Sequence, residues 1–223
     1  MRSLELQNFL DEYGASLSAR VIISGNSDHE FHEELILPPS VKLLLLQNSF
    51  VSDGSRIQTL PIGIEDFRWG VNGNPKFLNF NRFDVANNEI LFGPFGLTHS
   101  ARALVISEIS SHEGPWNLLE RYIQPREFDK LTAQYRYVAA VRGNGIDTHR
   151  LWEALYRGRY PIIQKDSWSR SLNGLGLPII EVSEWNKDEL LNIAGEPRVQ
   201  FNPDDLPALW MSYWIEKIRN AVS

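Results

Sequence analysis

The chain has 223 residues, enough for one large domain or two small ones, and 43% of them are hydrophobic against 22% charged, the balance of a protein that buries a core. Its 11 Phe, 7 Tyr and 7 Trp exclude an intrinsically disordered segment, and the absence of cysteine excludes disulfides and thiolate metal sites and points to a reducing, cytoplasmic setting. A net charge of −6 excludes a general nucleic-acid binder.

The opening Met1-Arg2-Ser3-Leu4-Glu5-Leu6-Gln7 has no apolar h-region and is expected not to be a signal peptide, and no apolar run is long enough for a transmembrane segment. Leu4 to Tyr13 is predicted as a helix. Arg20 to Ser24, Val41 to Leu46 and Arg56 to Leu60 are predicted as three short strands with longer connections, hence a small parallel sheet. Asn72 to Asn88, rich in Asn, Gly and Pro, is expected to be a linker or long loop dividing domain 1–85 from domain 86–223. A second series then begins with a strand at Glu89 to Phe92 and helices at Thr98 to Ser110 and Pro125 to Ala133. A strand at Tyr135 to Val141, a helix at Thr148 to Arg157 and strands at Tyr160 to Gln164 and Pro178 to Val182 follow, with helices at Asn186 to Ile193 and Asp204 to Val222. This alternation predicts an α/β fold of Rossmann-like parallel sheets, the second sheet covered on both faces.

The most informative stretch is Arg142-Gly143-Asn144-Gly145-Ile146-Asp147-Thr148-His149-Arg150, between an apolar strand and a helix. The two glycines are expected to take positive φ and approach a ligand, with Asp147 or Thr148 capping the helix. The helix N-terminus would then offer free N–H groups and the positive dipole end at the carboxyl edge of the sheet, a seat for a diphosphate. His149, Glu153 and Arg157 at i, i+4 and i+8, with Arg150, are predicted to share one polar face opposite Leu151 and Leu155. On such a face Arg150 and Glu153 can hold a phosphate and a ribose diol together. From Arg136 to Arg170 seven basic residues stand against three acidic ones, a local excess that suits a small anionic ligand. The turn is neither the dinucleotide fingerprint nor a P-loop, and glycine-rich turns of this kind also occur without any nucleotide.

From Gly143 to Leu155, and on through Gly158-Arg159-Tyr160-Pro161-Ile162-Ile163, the chain resembles the C-terminal, donor-binding half of exostosin-like glycosyltransferases. The segment Leu177-Pro178-Ile179-Ile180 with Trp185 is similar to a later stretch of the same family, and Asn26-Ser27-Asp28, Gln47-Asn48 and Leu60-Pro61-Ile62-Gly63-Ile64-Glu65 resemble pieces of its acceptor-side half. The resemblance implies a GT-B-like arrangement, with a reduced N-terminal domain and a C-terminal helix returning to that domain. It implies a glycosyltransferase moving a sugar from a nucleotide-diphosphate sugar donor to a glycan or other hydroxyl acceptor. Gly143, Asn144 and Gly145 would line the diphosphate, Arg150 and Arg102 would neutralise it, and Glu153 would bond the ribose; Arg142 and Asp147 complete the implied substrate-binding set. Arginines and a helix N-terminus can stabilise the departing diphosphate, and no Asp-x-Asp pair is present, so neither a cofactor nor an essential divalent metal is expected.

Asp28, after the first strand, is the expected catalytic base for the acceptor hydroxyl. His29, His32 and Glu33 can be drawn as a metal site, but ordinary polar helices produce that spacing freely. Asp204-Asp205 reads as a helix cap. Two other readings stay open: a fucosyltransferase-like enzyme with a guanine nucleotide donor, and a catalytically degenerate nucleotide- or glycan-binding domain.

Overall fold

The computed structural model describes residues 3–25, 27–32, 34–52, 54–66, 73–74, 78 and 87–223. Three strands, β1 (Val21–Ser24), β2 (Leu43–Leu46) and β3 (Ile57–Thr59), form a parallel sheet in that order. Five more, β4 (Asn87–Phe92), β5 (Trp116–Leu118), β6 (Tyr135–Ala139), β7 (Tyr160–Gln164) and β8 (Ile180–Val182), form a second parallel sheet in the order β5-β4-β6-β7-β8. The protein is therefore α/β with two parallel sheets flanked by helices, as its alternation predicts. Most of the expected linker lies outside the described residues, and β4 already begins at Asn87.

Period-two alternation decides which helix covers which face. In β2, Leu44 and Leu46 pack with Leu6 and Leu10 of helix α1 (Ser3–Tyr13), while Leu43 and Leu45 pack with Trp214 of helix α7 (Met211–Val222). The C-terminal helix thus closes the outer face of the N-terminal sheet, and Arg20 Nη1 donates to the Val222 carbonyl at 2.9 Å. In β6, Tyr137 and Ala139 face Val105 and Ile109 of α2 (Ser100–Ser111) and Leu190 and Ile193 of α6 (Lys187–Gly195). Ala140, just beyond β6, faces Leu151, Trp152 and Leu155 of α4 (His149–Tyr156) and Trp168 and Leu172 of α5 (Ser167–Asn173). Among the described residues no helix is long and apolar enough to cross a membrane.

Two local expectations are corrected, and two short elements go beyond them. The helix expected over Asp204 to Val222 is two 3-10 turns, Pro203–Asp205 and Pro207–Leu209, followed by α7. Pro207 has no N–H to give a helix, and its ring disfavours a helical residue before it; the first turn is capped by Asn202, not by Asp204 or Asp205. Strand β5 is too short to show a period. Helix α5 was also unforeseen, although Asp166 and Ser169 form a capping box at its start.

Helix α3 (Pro125–Thr132) is tied to the end of α4 by a buried ion pair, Arg157 Nε to Asp129 Oδ1 at 2.6 Å, so Arg157 does not belong to an exposed polar face. Asp129→Ala leaves a guanidinium buried without its counter-charge and is expected to lower the unfolding free energy by about 3–5 kcal/mol in urea titrations. A loss below about 1 kcal/mol would show that the pair contributes little.

Candidate functional site

Every strand of a parallel sheet delivers its following loop to the same edge. Here the carboxyl edges of both sheets open onto one cleft of about 390 Å³. Asp28 reaches it after β1, Ile62 and Glu65 after β3, Pro94 to Thr98 after β4, Tyr122 and Ile123 after β5, and the turn 143–149 after β6. Asp28, Arg102, Gly143, Asn144, Gly145, Asp147, Arg150 and Glu153 all line this cleft, although they come from segments up to 125 positions apart. Arg142 does not.

The glycine turn works differently from the expectation. Neither Gly143 nor Gly145 has positive φ. A Cβ on Gly143 would stand 2.8 Å from Arg102 Nη2, and one on Gly145 would stand 2.7 Å from Asn48 Oδ1. Both glycines therefore make room for side chains of this chain. Asn48 is fully buried, adopts a φ of 50°, donates Nδ2 to the Ser27 carbonyl at 2.8 Å and accepts the Asp147 N–H at 2.9 Å. It joins the loops after β1 and β2 to the turn after β6, and no local pattern announces it.

Asp147 is not the helix cap. Thr148 is the N-cap and makes no side-chain capping bond. The Asp147 carboxylate is buried, accepting the Ile62 N–H and the Trp152 Nε1–H, each at 2.7 Å. Burial pushes its pKa up to about 7, and the two donors oppose that rise. A carboxylate held in this way clamps the loop after β3 onto the turn, and its oxygens are already engaged.

Two arginines shape the cleft wall. Arg150 donates to the carbonyls of Gly93 at 2.6 Å and Pro94 at 3.2 Å, and lies 4.6 Å from the Phe128 ring centre and 5.4 Å from that of Phe95. Burial pulls its pKa down to about 10, with Glu153 acting against the fall, so it stays charged at neutral pH. Arg102 donates to the carbonyls of Arg142 at 3.0 Å and Gly96 at 2.8 Å and to Thr98 Oγ1 at 3.1 Å, and burial lowers its pKa as well. Among the described residues neither guanidinium lies within ion-pair distance of a carboxylate.

The acidic residues of the cleft are less engaged. The side-chain carboxylates of Asp28 and Glu153 make no hydrogen bond with any described residue; Asp28 is exposed and Glu153 half-buried. His149, at the start of α4, places Nδ1 2.8 Å from the Gly63 carbonyl and Nε2 3.7 Å from Glu65. Asn144 is exposed at the tip of the turn.

The local basic excess does not gather in one place. Arg142 pairs with Glu30, Arg157 with Asp129, Arg136 donates to the Arg198 carbonyl and Arg159, fully buried, to that of Ala133. A buried charge must find a partner, and these found theirs within the protein. The expected binding role of Arg142 gives way to a bridge between the loop after β1 and the turn. His32 stacks on Phe50 at 4.4 Å and approaches Glu30 at 3.4 Å, and among the described residues no three His, Asp or Glu side chains gather closely enough to hold a metal; Glu33 lies outside them. Asn48, Glu65 and His149 had no assigned role from sequence, although Gln47-Asn48 and Leu60 to Glu65 carried the resemblance. No protein-family model matches the chain, and no curated protein does.

Proposed function

We propose that this chain is a glycosyltransferase that binds a nucleoside diphosphate sugar in the cleft and passes the sugar to a hydroxyl acceptor. The observation that carries the reading is the pair Arg102 and Arg150. Two partly desolvated positive charges share one cleft, and among the described residues their hydrogen bonds go only to neutral carbonyls and a hydroxyl, with ring faces beside them. Such a site favours an anion, and the N-terminus of α4 adds a positive dipole end beside them. A diphosphate fits that field in the bound donor and fits it better as its charge grows on departure, so the arginines can assist the leaving group without a metal. Glu153, half-buried and one turn along α4 from Arg150, has a carboxylate with no hydrogen-bond partner among the described residues, which a ribose diol could take up. The resemblance of residues 143–163 to the donor half of exostosin-like enzymes, and the C-terminal helix packed back on the N-terminal sheet, agree with this reading.

Titration calorimetry with UDP, GDP, ADP and CMP is expected to show one preferred nucleoside diphosphate. Absence of binding by all four overturns the proposal. Binding with neither hydrolysis nor transfer from the matching nucleotide sugar would mark a nucleotide-binding domain instead.

A further inference from the structure

His149 is the one imidazole in the cleft, and its surroundings define its proton chemistry. A carbonyl can only accept, so the 2.8 Å contact with Gly63 holds the proton of the neutral ring on Nδ1 and leaves the lone pair on Nε2. Glu65 Oε1 lies 3.7 Å from Nε2. That separation is too long for a hydrogen bond, and it sets a carboxylate beside the open nitrogen. Both side chains are about one-third exposed (31% and 32%) and both line the cleft beside Arg150. The ring is therefore oriented by backbone, supplied with a counter-charge and open to a substrate proton.

We infer that His149 is the general base of the transfer, with Nε2 taking the proton of the acceptor hydroxyl and Glu65 stabilising the imidazolium that forms; this rests on the donor-cleft reading above. As the proton moves to Nε2, the acceptor oxygen bonds to the anomeric carbon. The bond from that carbon to the β-phosphate oxygen breaks, and its electron pair leaves with the nucleoside diphosphate, whose growing charge faces Arg102 and Arg150. The imidazolium then returns its proton to solvent. Asp28, the base expected from sequence, is exposed and has no hydrogen-bond partner among the described residues to aim it. A base without fixed orientation gives up much of the advantage of being in place. The charged groups around the ring are Glu65 from the loop after β3, Asp147 in the turn and Arg150 and Glu153 on α4 itself, with Asp28 on the same cleft.

The test is the pH profile of donor hydrolysis, with UDP-glucose or GDP-mannose chosen by the calorimetric screen. Wild-type kcat is expected to rise with pH through one ionisation. His149→Asn keeps a side-chain N–H near the Nδ1 position for Gly63 but lacks Nε2. It is expected to bind nucleotide like wild type, to lose kcat by on the order of 10²–10⁴-fold and to lose that ionisation. Glu65→Gln is expected to lower kcat by less than His149→Asn does. A His149→Asn enzyme that keeps the limb overturns the inference, as does one that stays active while Asp28→Asn does not. Nitrogen-15 NMR of histidine-labelled protein gives a readout independent of turnover: the neutral ring is expected as the Nδ1–H tautomer, and an Nε2–H tautomer rules the base out. If nucleotide binds but no donor is turned over, this inference alone falls; if nothing binds, it falls together with the donor reading.

Discussion

Asp147→Asn is expected to remove a pH dependence of stability that the wild-type protein carries. The Asp147 carboxyl is buried against Ile62 and Trp152, and burial lifts its pKa to about 7. In the unfolded chain the same group titrates near 4. Between those values the folded protein holds a proton that the unfolded chain has released, so stability must fall as pH rises. The contribution is fully present below about pH 4, declines through about pH 7 and is lost above it, a span on the order of 4 kcal/mol at most. Asparagine cannot titrate, so the wild-type-minus-variant difference in unfolding free energy should shrink steadily from pH 5 to pH 8 in urea titrations. The variant also turns an amide N–H₂ toward one of the two donors, so a pH-independent loss of about 1–3 kcal/mol is expected beneath the slope. Parallel pH profiles for the two proteins would show that Asp147 is ionised throughout. The loop clamped by Asp147 also carries Gly63 and Glu65, so the same variant should disturb the ring of His149.

Arg150→Ala is expected to weaken nucleoside diphosphate binding by roughly 10- to 150-fold, the equivalent of about 1.5–3 kcal/mol for a charge-assisted hydrogen bond. The guanidinium is anchored by two carbonyls and two rings, so it would meet a phosphate already in position. Arg150→Lys is expected to recover little of the affinity. An ammonium has no planar fork with which to keep both carbonyls while turning a further N–H to a phosphate. Calorimetry with the preferred nucleotide measures both effects, and thermal unfolding of the same samples separates lost binding from lost folding. Unchanged affinity in Arg150→Ala would remove the arginine from the site and take the main support of the donor reading with it.

Short-range chemistry made much of this legible. Apolar runs such as Leu43 to Leu46 and Tyr137 to Ala139 are strands because both of their faces are covered, and Gly158 closes α4 with a φ of 69°, a conformation that costs glycine least. A turn after a central parallel strand must face the carboxyl edge, which is why residues 143–150 pointed to the cleft. What failed was finer. A three-residue strand such as β5 shows no period, and the apolar spacing from Asp204 to Val222 does not register the N–H that Pro207 lacks.

By itself the sequence determined the alternation of strands and helices, and with it two parallel sheets and the edge where a ligand would sit, because period and turn chemistry act over a few residues. Only the tertiary structure decided which polar groups face that edge. Arg142, Arg157 and Arg159 look equivalent to Arg150 in the sequence, yet Arg150 lines the cleft and the other three are held by partners away from it. Asn48, Gly63 and Glu65 reach the turn from more than eighty residues away. The reason is that burying a charge or a polar group costs several kcal/mol unless a partner is found, and which partner stands within hydrogen-bond reach is a property of packing between distant segments.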